Sequence, residues 1–395
     1  MGAIPNRHTL RAVREQRGLE LADVANFTKI SPDSLGDFEE GTRLPSRRQV
    51  EKLAKSYGVP AYSFFGSNTP NLPSPPTDYR KINLAPASVS AKGLRALLLA
   101  EKVSQFTKQL AIELKYRPSL LDLTASAESN SVKQARAARA AFDSWHQPRE
   151  KSLGFTGRPE EVFIGALRLF LEIQGRIVHV NDAPPSDFMG FLLQPDAGYS
   201  IAFVNRSIQS KKAQLFTLAH EYAHILQRAP GISDPFVAKN KIERHCNIFA
   251  AEFIAPSVDF IRTIERASKA DRLNTSAIVN FASRTSLLSK HAAAIRLVET
   301  GFVSQADFNS WRRIFRLTPK AEKDDEKLLV EPGPGGNPHA KRLSEIGYLP
   351  VLLAGAAVDK RFIDWHDVTE CLGLSQALQE RALKLVRRRF SAAAP

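Results

Sequence analysis

The sequence is poor in sulfur and in long apolar runs. Its 395 residues include two cysteines and two methionines, and two cysteines cannot supply the disulfide framework of a small secreted domain. No run of 18 apolar residues is present, and the polar segment 1–11 lacks the apolar stretch of a secretory signal,. We therefore expect no membrane span and a protein that is made and kept in the cytoplasm.

Several common chemical motifs are also missing. The sequence has no P-loop, no G-x-G-x-x-G, no C-x-x-C and no internal repeat, so none of the function classes that depend on them is indicated. What the chain has in excess is positive charge, with a formal net charge of +14 and a pI near 9.8. This bulk property favours polyanionic partners such as nucleic acid. The length predicts two to three domains.

One short stretch carries a strong chemical signal. His220 and His224 are four residues apart, which places both on one face of a helix, one turn apart,. Two imidazoles so placed can bind one Zn²⁺, and Glu221 between them can accept a proton from a metal-bound water. Apolar residues dominate the surrounding segment 215–226, which favours a buried helix over a chance match on a solvated one.

A catalytic zinc site needs a third protein ligand and an open position for water. Glu243 follows His224 by 19 residues, which leaves room for a loop and a return helix. Glu252 lies about two and a half turns further along that helix and should point elsewhere. His245 should project from a different face than Glu243.

The N-terminal segment 5–66 has the pattern of four short helices. Ser31 followed by Pro32 is typical of a helix start, Gly41 of a helix end, and Ser46 of the next start,. This order of helices, with the segment 39–46 after the third, resembles the helix-turn-helix of Cro/C1 (XRE-type) phage repressors. In that family the third helix enters the major groove of DNA.

The third helix is unusually acidic for this role, because its side chains include Asp33, Asp37, Glu39 and Glu40. Coulomb repulsion from phosphates opposes DNA binding there. Basic residues beside it could still hold phosphates: Arg43, Arg47, Arg48 and Lys52. Ser34 could touch a base. Two interpretations stay open, namely DNA binding through these residues and binding of another protein, such as a second repressor-like domain.

The remainder predicts an α+β fold that is predominantly α. We expect a proline-rich linker and helical spacer over residues 67–150, a metallopeptidase domain with a small three-stranded sheet over 151–320, and a loop followed by a helical region over 321–395. The predicted strands are 176–180, 188–193 and 200–204, with a hairpin turn at 195–198 and the metal-binding helix from about 211 to 228. The predicted C-terminal helices are 349–358, 364–372 and 375–390, and the apolar residues of the first imply burial against the metallopeptidase domain.

Two linked motifs show a resemblance to a known family. Phe216-Thr-Leu-Ala-His-Glu-x-x-His224, followed by Glu243-Arg-x-Cys-Asn-x-Phe-Ala-Ala-Glu-Phe-x-x-Pro256, resembles the ImmA/IrrE metallopeptidases (DUF955) over roughly residues 155–316. The resemblance implies a gluzincin-like site in which His220, His224 and Glu243 bind Zn²⁺ and Glu221 is the catalytic base. An N-terminal repressor-like helix-turn-helix is familiar in this family, whose members are linked to repressor cleavage in prophage or mobile-element induction and in stress responses.

Three functions follow as hypotheses, of which the third is an interaction protein, such as one half of a paired regulatory system held inactive by its partner. The first is a zinc endopeptidase that cleaves a transcriptional repressor or antitoxin-like protein, and the intact Glu221 favours it because a purely structural zinc site does not need that carboxylate. The second is a DNA-binding regulator whose metallopeptidase-like domain senses a signal or binds a partner without turnover. Double-stranded DNA and a second copy of the chain are further candidate partners. Candidate oxyanion donors are His179, Arg244 and His245, which sequence cannot rank, whereas Tyr222 is expected in the core.

Overall fold

The computed structural model describes residues 4–66, 90–194, 199–208, 210–233, 241–317 and 338–393. Several predicted segments lie outside the described residues: the proline-rich linker at 69–76, the hairpin turn at 195–198, the charged run at 320–327 and the glycine-rich loop at 331–337. The described part is mostly helical and contains one small mixed sheet, so the predicted fold class is confirmed.

The N-terminal module forms the predicted short helices. They are α1 (Arg7–Gln16), α2 (Leu21–Thr28), α3 (Pro32–Glu40) and α4 (Arg47–Tyr57), followed by a 3₁₀ turn at Ala61–Phe65. The hydroxyls of Ser31 and Ser46 accept hydrogen bonds from backbone N–H groups three residues on, as expected of N-caps,. Gly41 ends α3 with φ at 81°, a conformation that favours glycine,. The buried side chains of this module form a core of their own.

The rest of the chain supplies helices before and after the sheet and the pair of helices that carries the predicted metal ligands. Before the metal-binding motif come α5 (Ala91–Glu113), α6 (Leu123–Ala127), α7 (Ser131–His146), α8 (Glu150–Leu153) and α9 (Pro159–Glu172). The motif and its return helix are α10 (Lys211–Gln227) and α11 (Lys241–Ile254). After them come α12 (Ser257–Ile264), α13 (Lys269–Leu273), α14 (Thr275–Thr285), α15 (Lys290–Glu299), α16 (Gln305–Leu317), α17 (Pro338–Ile346), α18 (Tyr348–Asp359), α19 (Trp365–Leu372) and α20 (Gln376–Ala393).

The sheet contains the predicted strands and one more. Its strands are β1 (Ile177–Asn181), β2 (Gly190–Leu193), β3 (Ile201–Asn205) and β4 (Gly231–Ser233), in the spatial order β1-β3-β2-β4. β1 runs parallel to β3, whereas β2 is antiparallel to both β3 and β4. Strand β4 is not predictable from the sequence, because three residues that begin with glycine show no strand periodicity.

A continuous core joins the spacer, the sheet and the C-terminal helices, with buried members from Ala96 to Ala393. The predicted burial of the helix at 349–358 is therefore confirmed. A buried ion pair supports this junction: Arg168 Nε lies 2.8 Å from Glu172 Oε1, and the second oxygen of Glu172 accepts a hydrogen bond from Leu349 N. The predicted division at residues 150 and 320 stays a prediction. Among the described residues, no helix is both long and apolar enough to cross a membrane.

Candidate metal centre

Helices α10 and α11 bring the three predicted ligands to one point. The side chains of His220, His224 and Glu243 are fully buried. The two Nε2 atoms are 3.2 Å apart, His220 Nε2 lies 3.2 Å from Glu243 Oε2, and His224 Nε2 lies 3.2 Å from Glu243 Oε1. Ligands at about 2.0–2.1 Å from a tetrahedral zinc are about 3.3 Å from one another. The observed triangle therefore matches one face of such a site.

The far sides of both imidazoles are also held. His220 Nδ1 lies 3.0 Å from Asn247 Oδ1, and His224 Nδ1 lies 3.0 Å from the carbonyl oxygen of Ala229. A proton on each Nδ1 satisfies these acceptors and leaves each Nε2 with a lone pair. Two lone pairs and a carboxylate then face one another at 3.2 Å, an arrangement that repels unless a cation lies between them. The donor set therefore fits Zn²⁺.

The protonation states favour the same conclusion. Burial alone would raise the pKa of Glu243, yet the contacts with the two imidazoles outweigh it and lower that pKa to about 2. Burial lowers the pKa of His224 below its ordinary value. Metal binding requires an ionised carboxylate and neutral imidazoles, and the two shifts favour these forms for Glu243 and His224.

Cys246 also lies close to both histidines, although the sequence pattern did not indicate it as a candidate ligand. Its Sγ lies within 4.8 Å of nitrogen atoms of both His220 and His224. Burial raises the pKa of the Cys246 thiol, and nearby carboxylates raise it further, which disfavours the thiolate that zinc binds. Glu243 contacts each Nε2 at 3.2 Å, and we therefore favour it over Cys246 as the third ligand.

Glu221 lies beside these ligands on α10 and is fully buried. Strand β2 approaches it closely at Gly190: a Cβ built at that position would lie 2.5 Å from Glu221 Oε1 and 2.7 Å from Thr217 Cγ2. Both distances are shorter than van der Waals contact allows. Any residue other than glycine at this position would therefore displace the Glu221 carboxylate or the strand. A glycine inside the predicted strand 188–193 was the available sequence signal for this contact.

The other candidates near the motif have structural partners. Tyr222 donates a hydrogen bond to Asp122 Oδ2 at 2.6 Å in the core, as expected. Glu252 points away from the ligands and contacts Arg136 at 2.8 Å, as expected. His245 lies 2.8 Å from Gln134 Oε1.

His179 is on the far face of the sheet. It is opposite Phe203 in the β1–β3 register, and Phe203 is opposite Phe191 in β3–β2. Gly190, the neighbour of Phe191, faces Glu221, and side chains alternate along a strand. His179 therefore faces away from Glu221 and is excluded as an oxyanion donor in this arrangement.

In the N-terminal module, the predicted DNA-contacting residues lie on α3 (Ser34), in the following turn (Arg43) and at the start of α4 (Arg47 and Arg48). Arg43, Arg47 and Arg48 are exposed, whereas Ser34 is half-buried and its hydroxyl lies 3.2 Å from Arg43 Nη1. Of the four acidic side chains on α3, Glu39 does not face outward. That side chain is buried against Arg14, with two contacts of 2.7 and 2.8 Å, so its charge is compensated inside the module.

Comparison with known proteins identifies two domains. Residues 177–297 match the family model of the IrrE N-terminal-like domain, and residues 7–61 match a model of a helix-turn-helix domain. The chain thus combines a helix-turn-helix domain with a metallopeptidase-like domain of the ImmA/IrrE family, which confirms the resemblance found in the sequence.

Two curated proteins illustrate the similarity. The chain is 36% identical over 66 residues to the HTH-type transcriptional regulator DdrOP3 of Deinococcus deserti, covering 15% of this chain and 51% of that protein. It is 35% identical over 63 residues to the cryptic phage CTXphi transcriptional repressor RstR of Vibrio cholerae, covering 16% of this chain and 57% of that protein. The chain spans about half the length of these curated relatives.

Proposed function

We propose that the protein is a cytoplasmic zinc-dependent endopeptidase that cleaves a repressor or antitoxin-like regulatory protein. The observation that carries this proposal is the buried triangle of His220, His224 and Glu243 with Glu221 beside it on the same helix. A site that served only to bind a metal would have no use for a second buried carboxylate beside its three ligands. The helix-turn-helix domain narrows the substrate from any peptide to a protein of the regulatory machinery.

Each residue of the site has a separate task. His220, His224 and Glu243 hold the metal, while Asn247 and the Ala229 carbonyl orient the imidazoles,. When bound, Zn²⁺ lowers the pKa of a coordinated water towards about 7 and polarises the scissile carbonyl.

Glu221 accepts a proton from the attacking water at its carboxylate and returns it to the leaving amine. Burial of the site excludes bulk water, which strengthens every charge interaction within it. Because all four side chains are buried, a peptide requires a local rearrangement before it reaches them, and we expect slow basal turnover.

The decisive experiment compares the wild-type protein with Glu221→Gln, each co-expressed with the products of adjacent genes. We expect the wild type to cleave one neighbour, and Glu221→Gln to cleave it about 10²–10⁴-fold more slowly. Both proteins should contain about one zinc per chain. The control is Glu265→Gln, the same chemical change at an exposed position, which should cleave like the wild type. Cleavage at full rate by Glu221→Gln would exclude the mechanism.

Gly190→Ala gives an independent test of the position of Glu221. The added methyl displaces the carboxylate or the strand while leaving the three metal ligands in place. We expect normal zinc content with cleavage slowed about 10–100-fold, since misplacement by about 1 Å costs as much. Unchanged cleavage would show that the present Glu221 position is not the active one.

A second candidate function is a DNA-binding regulator whose metallopeptidase-like domain acts without turnover. The exposed Arg43, Arg47 and Arg48, together with the internal pairing of Glu39, support DNA binding. An electrophoretic shift series at increasing salt tests it: Arg48→Ala should weaken binding and reduce the salt slope by about 1. A sequence-specific shift without cleavage of any neighbour would favour this function over the first.

A further inference from the structure

A groove lies where the helix-turn-helix domain meets helix α5. Its volume is about 310 Å³, within the range of small-molecule sites of about 300–1,000 Å³. The end of α2 and the following turn contribute Phe27 and Lys29, α4 contributes Lys52 and Lys55, and α5 contributes Leu94 and Arg95. The walls therefore come from both sides of the junction.

The charge of this groove is one-sided. Four of its lining side chains are cationic and none is acidic. Lys29, Lys55 and Arg95 are exposed, and no ion pair with another described residue compensates them. Lys52 donates to the carbonyl oxygen of Thr28 at 3.1 Å, which leaves its charge uncompensated.

Two acidic side chains on the helices that line the groove already have cationic partners. Glu101 on α5 lies 2.7 Å from Arg17, and Glu51 on α4 lies 3.0 Å from Arg47. The four cations of the groove therefore repel one another, and an anion between them would relieve that repulsion. Several charges around one concave site point to a polyanion with closely spaced charges rather than to a single carboxylate.

The groove also has an apolar side. Phe27 is half-buried and Leu94 is buried, so a flat ring could pack there while a charged chain reaches the cations. A ligand with both parts, of a size that fits 310 Å³, is a nucleotide.

The two walls are fixed against each other by specific contacts. Arg17 bridges Glu101 of α5 and the carbonyl oxygen of Tyr57 at 2.9 Å. Leu98 of α5 packs so closely on Gly58 that a Cβ there would lie 2.7 Å from it. A ligand bound by Lys55 and Arg95 together would strengthen this junction. From the groove we infer that the protein binds a nucleoside polyphosphate between the helix-turn-helix domain and α5, independently of the proposed peptidase activity.

The experiment uses the full-length, zinc-loaded protein and two probes, Mg·ATP and magnesium tripolyphosphate, at constant ionic strength. Isothermal titration calorimetry should show binding of both, with Mg·ATP at least threefold tighter because its base contacts Phe27. Lys55→Glu and Arg95→Glu should each weaken binding of both probes at least tenfold. Lys108→Glu is the matched control: it changes the same charge on α5, about 20 Å along the helix from Arg95, and should bind normally.

Other outcomes would overturn the inference. Absence of binding of both probes, or equal weakening in Lys108→Glu, would exclude a built site in the groove. Equal affinity for the two probes would exclude the nucleoside part. If Lys55→Glu and Arg95→Glu instead weaken binding of a 20-base-pair duplex while neither probe binds, the groove contacts the DNA backbone. Circular dichroism and unchanged zinc content verify that each variant is folded.

Discussion

Two clusters of ionisable side chains are buried in the same core, and they differ in the ratio of hydrogen-bond donors to acceptors. The Arg168 guanidinium donates to Glu172 and to the carbonyl oxygens of Val178 and Leu343 at 2.7–2.8 Å. Every charge there has a complement. The candidate metal centre instead places two imidazole nitrogens and a carboxylate against one another at 3.2 Å. Burial alone therefore does not identify a functional site in this protein, whereas an excess of acceptors at one point does.

The largest expected effect comes from unbalancing the Arg168 cluster. Arg168→Met leaves Glu172 buried without a countercharge, and we expect the free energy of unfolding to fall by about 3–5 kcal/mol. The double variant Arg168→Met/Glu172→Leu should recover most of the lost free energy of unfolding, because it contains neither buried charge. Arg47→Ala, which removes an exposed pair, should change it by less than about 1 kcal/mol. Urea unfolding curves measure all three, and a double variant as unstable as the single one would contradict this account.

Zinc removal should destabilise the protein almost as strongly. The cation relieves the repulsion between the three ligands, so at free zinc about 1,000-fold above Kd it should contribute about 4 kcal/mol. Urea unfolding with zinc and with a chelator measures this difference. In His224→Ala the two curves should coincide, and a wild type insensitive to the chelator would show that the triangle does not bind metal.

Asn247→Ala should have an intermediate effect. It removes the acceptor that holds His220 Nδ1, and loss of such an outer contact typically costs about 10–100-fold in metal affinity. Competition with a chromophoric chelator gives the zinc affinity. Asn309→Ala, an exposed helical position elsewhere, is the control, and equal affinity in both variants would show that the imidazole needs no such support.

The smallest expected effect concerns His179, which is fully buried with neither ring nitrogen hydrogen-bonded among the described residues. Burial, aided by Arg168 and Arg342, lowers its pKa to about 3. Between about pH 6.5 and 3, His179 is therefore protonated in the unfolded chain and neutral in the folded chain. As a result, this residue lowers the free energy of unfolding as the pH falls through that window. At pH 5.5 protonation of His179 in the unfolded chain costs about 1.4 kcal/mol of the free energy of unfolding. His179→Leu should abolish this pH-dependent loss. Unfolding curves at pH 7.5 and 5.5 compare the two proteins, and an unchanged pH dependence would contradict the assignment.

The sequence was informative where local chemistry decides the structure. Spacing alone placed His220 and His224 on one helical face, and the caps at Ser31 and Ser46 predicted helices that the structure contains. It also excluded Glu252 from the site by helical periodicity. These features depend on residues within a few turns of one another, so no long-range information was needed.

The contacts that the sequence did not reveal join distant segments. Asn247 behind His220, and Gly190 against Glu221, depend on how α11 and β2 pack on α10. The pairing of Glu39 with Arg14 spans two helices, so the sequence alone does not show that this charge is compensated inside the module. Strand β4 forms because β2 offers it an edge rather than because its residues favour a strand,.

The hydrogen bond from Leu349 N to Glu172 has a consequence for inheritance. The segment that matches the IrrE-like model ends at residue 297, yet the charge balance beneath its sheet is completed by a helix that begins at Tyr348. A recombination event that exchanged residues 177–297 alone would leave Arg168, Glu172 and Leu349 together. It would separate them from β1, whose Val178 carbonyl oxygen accepts a hydrogen bond from Arg168 at 2.8 Å. We therefore expect the sheet of the matched segment to be inherited together with α9 and the C-terminal helices that complete this charge balance.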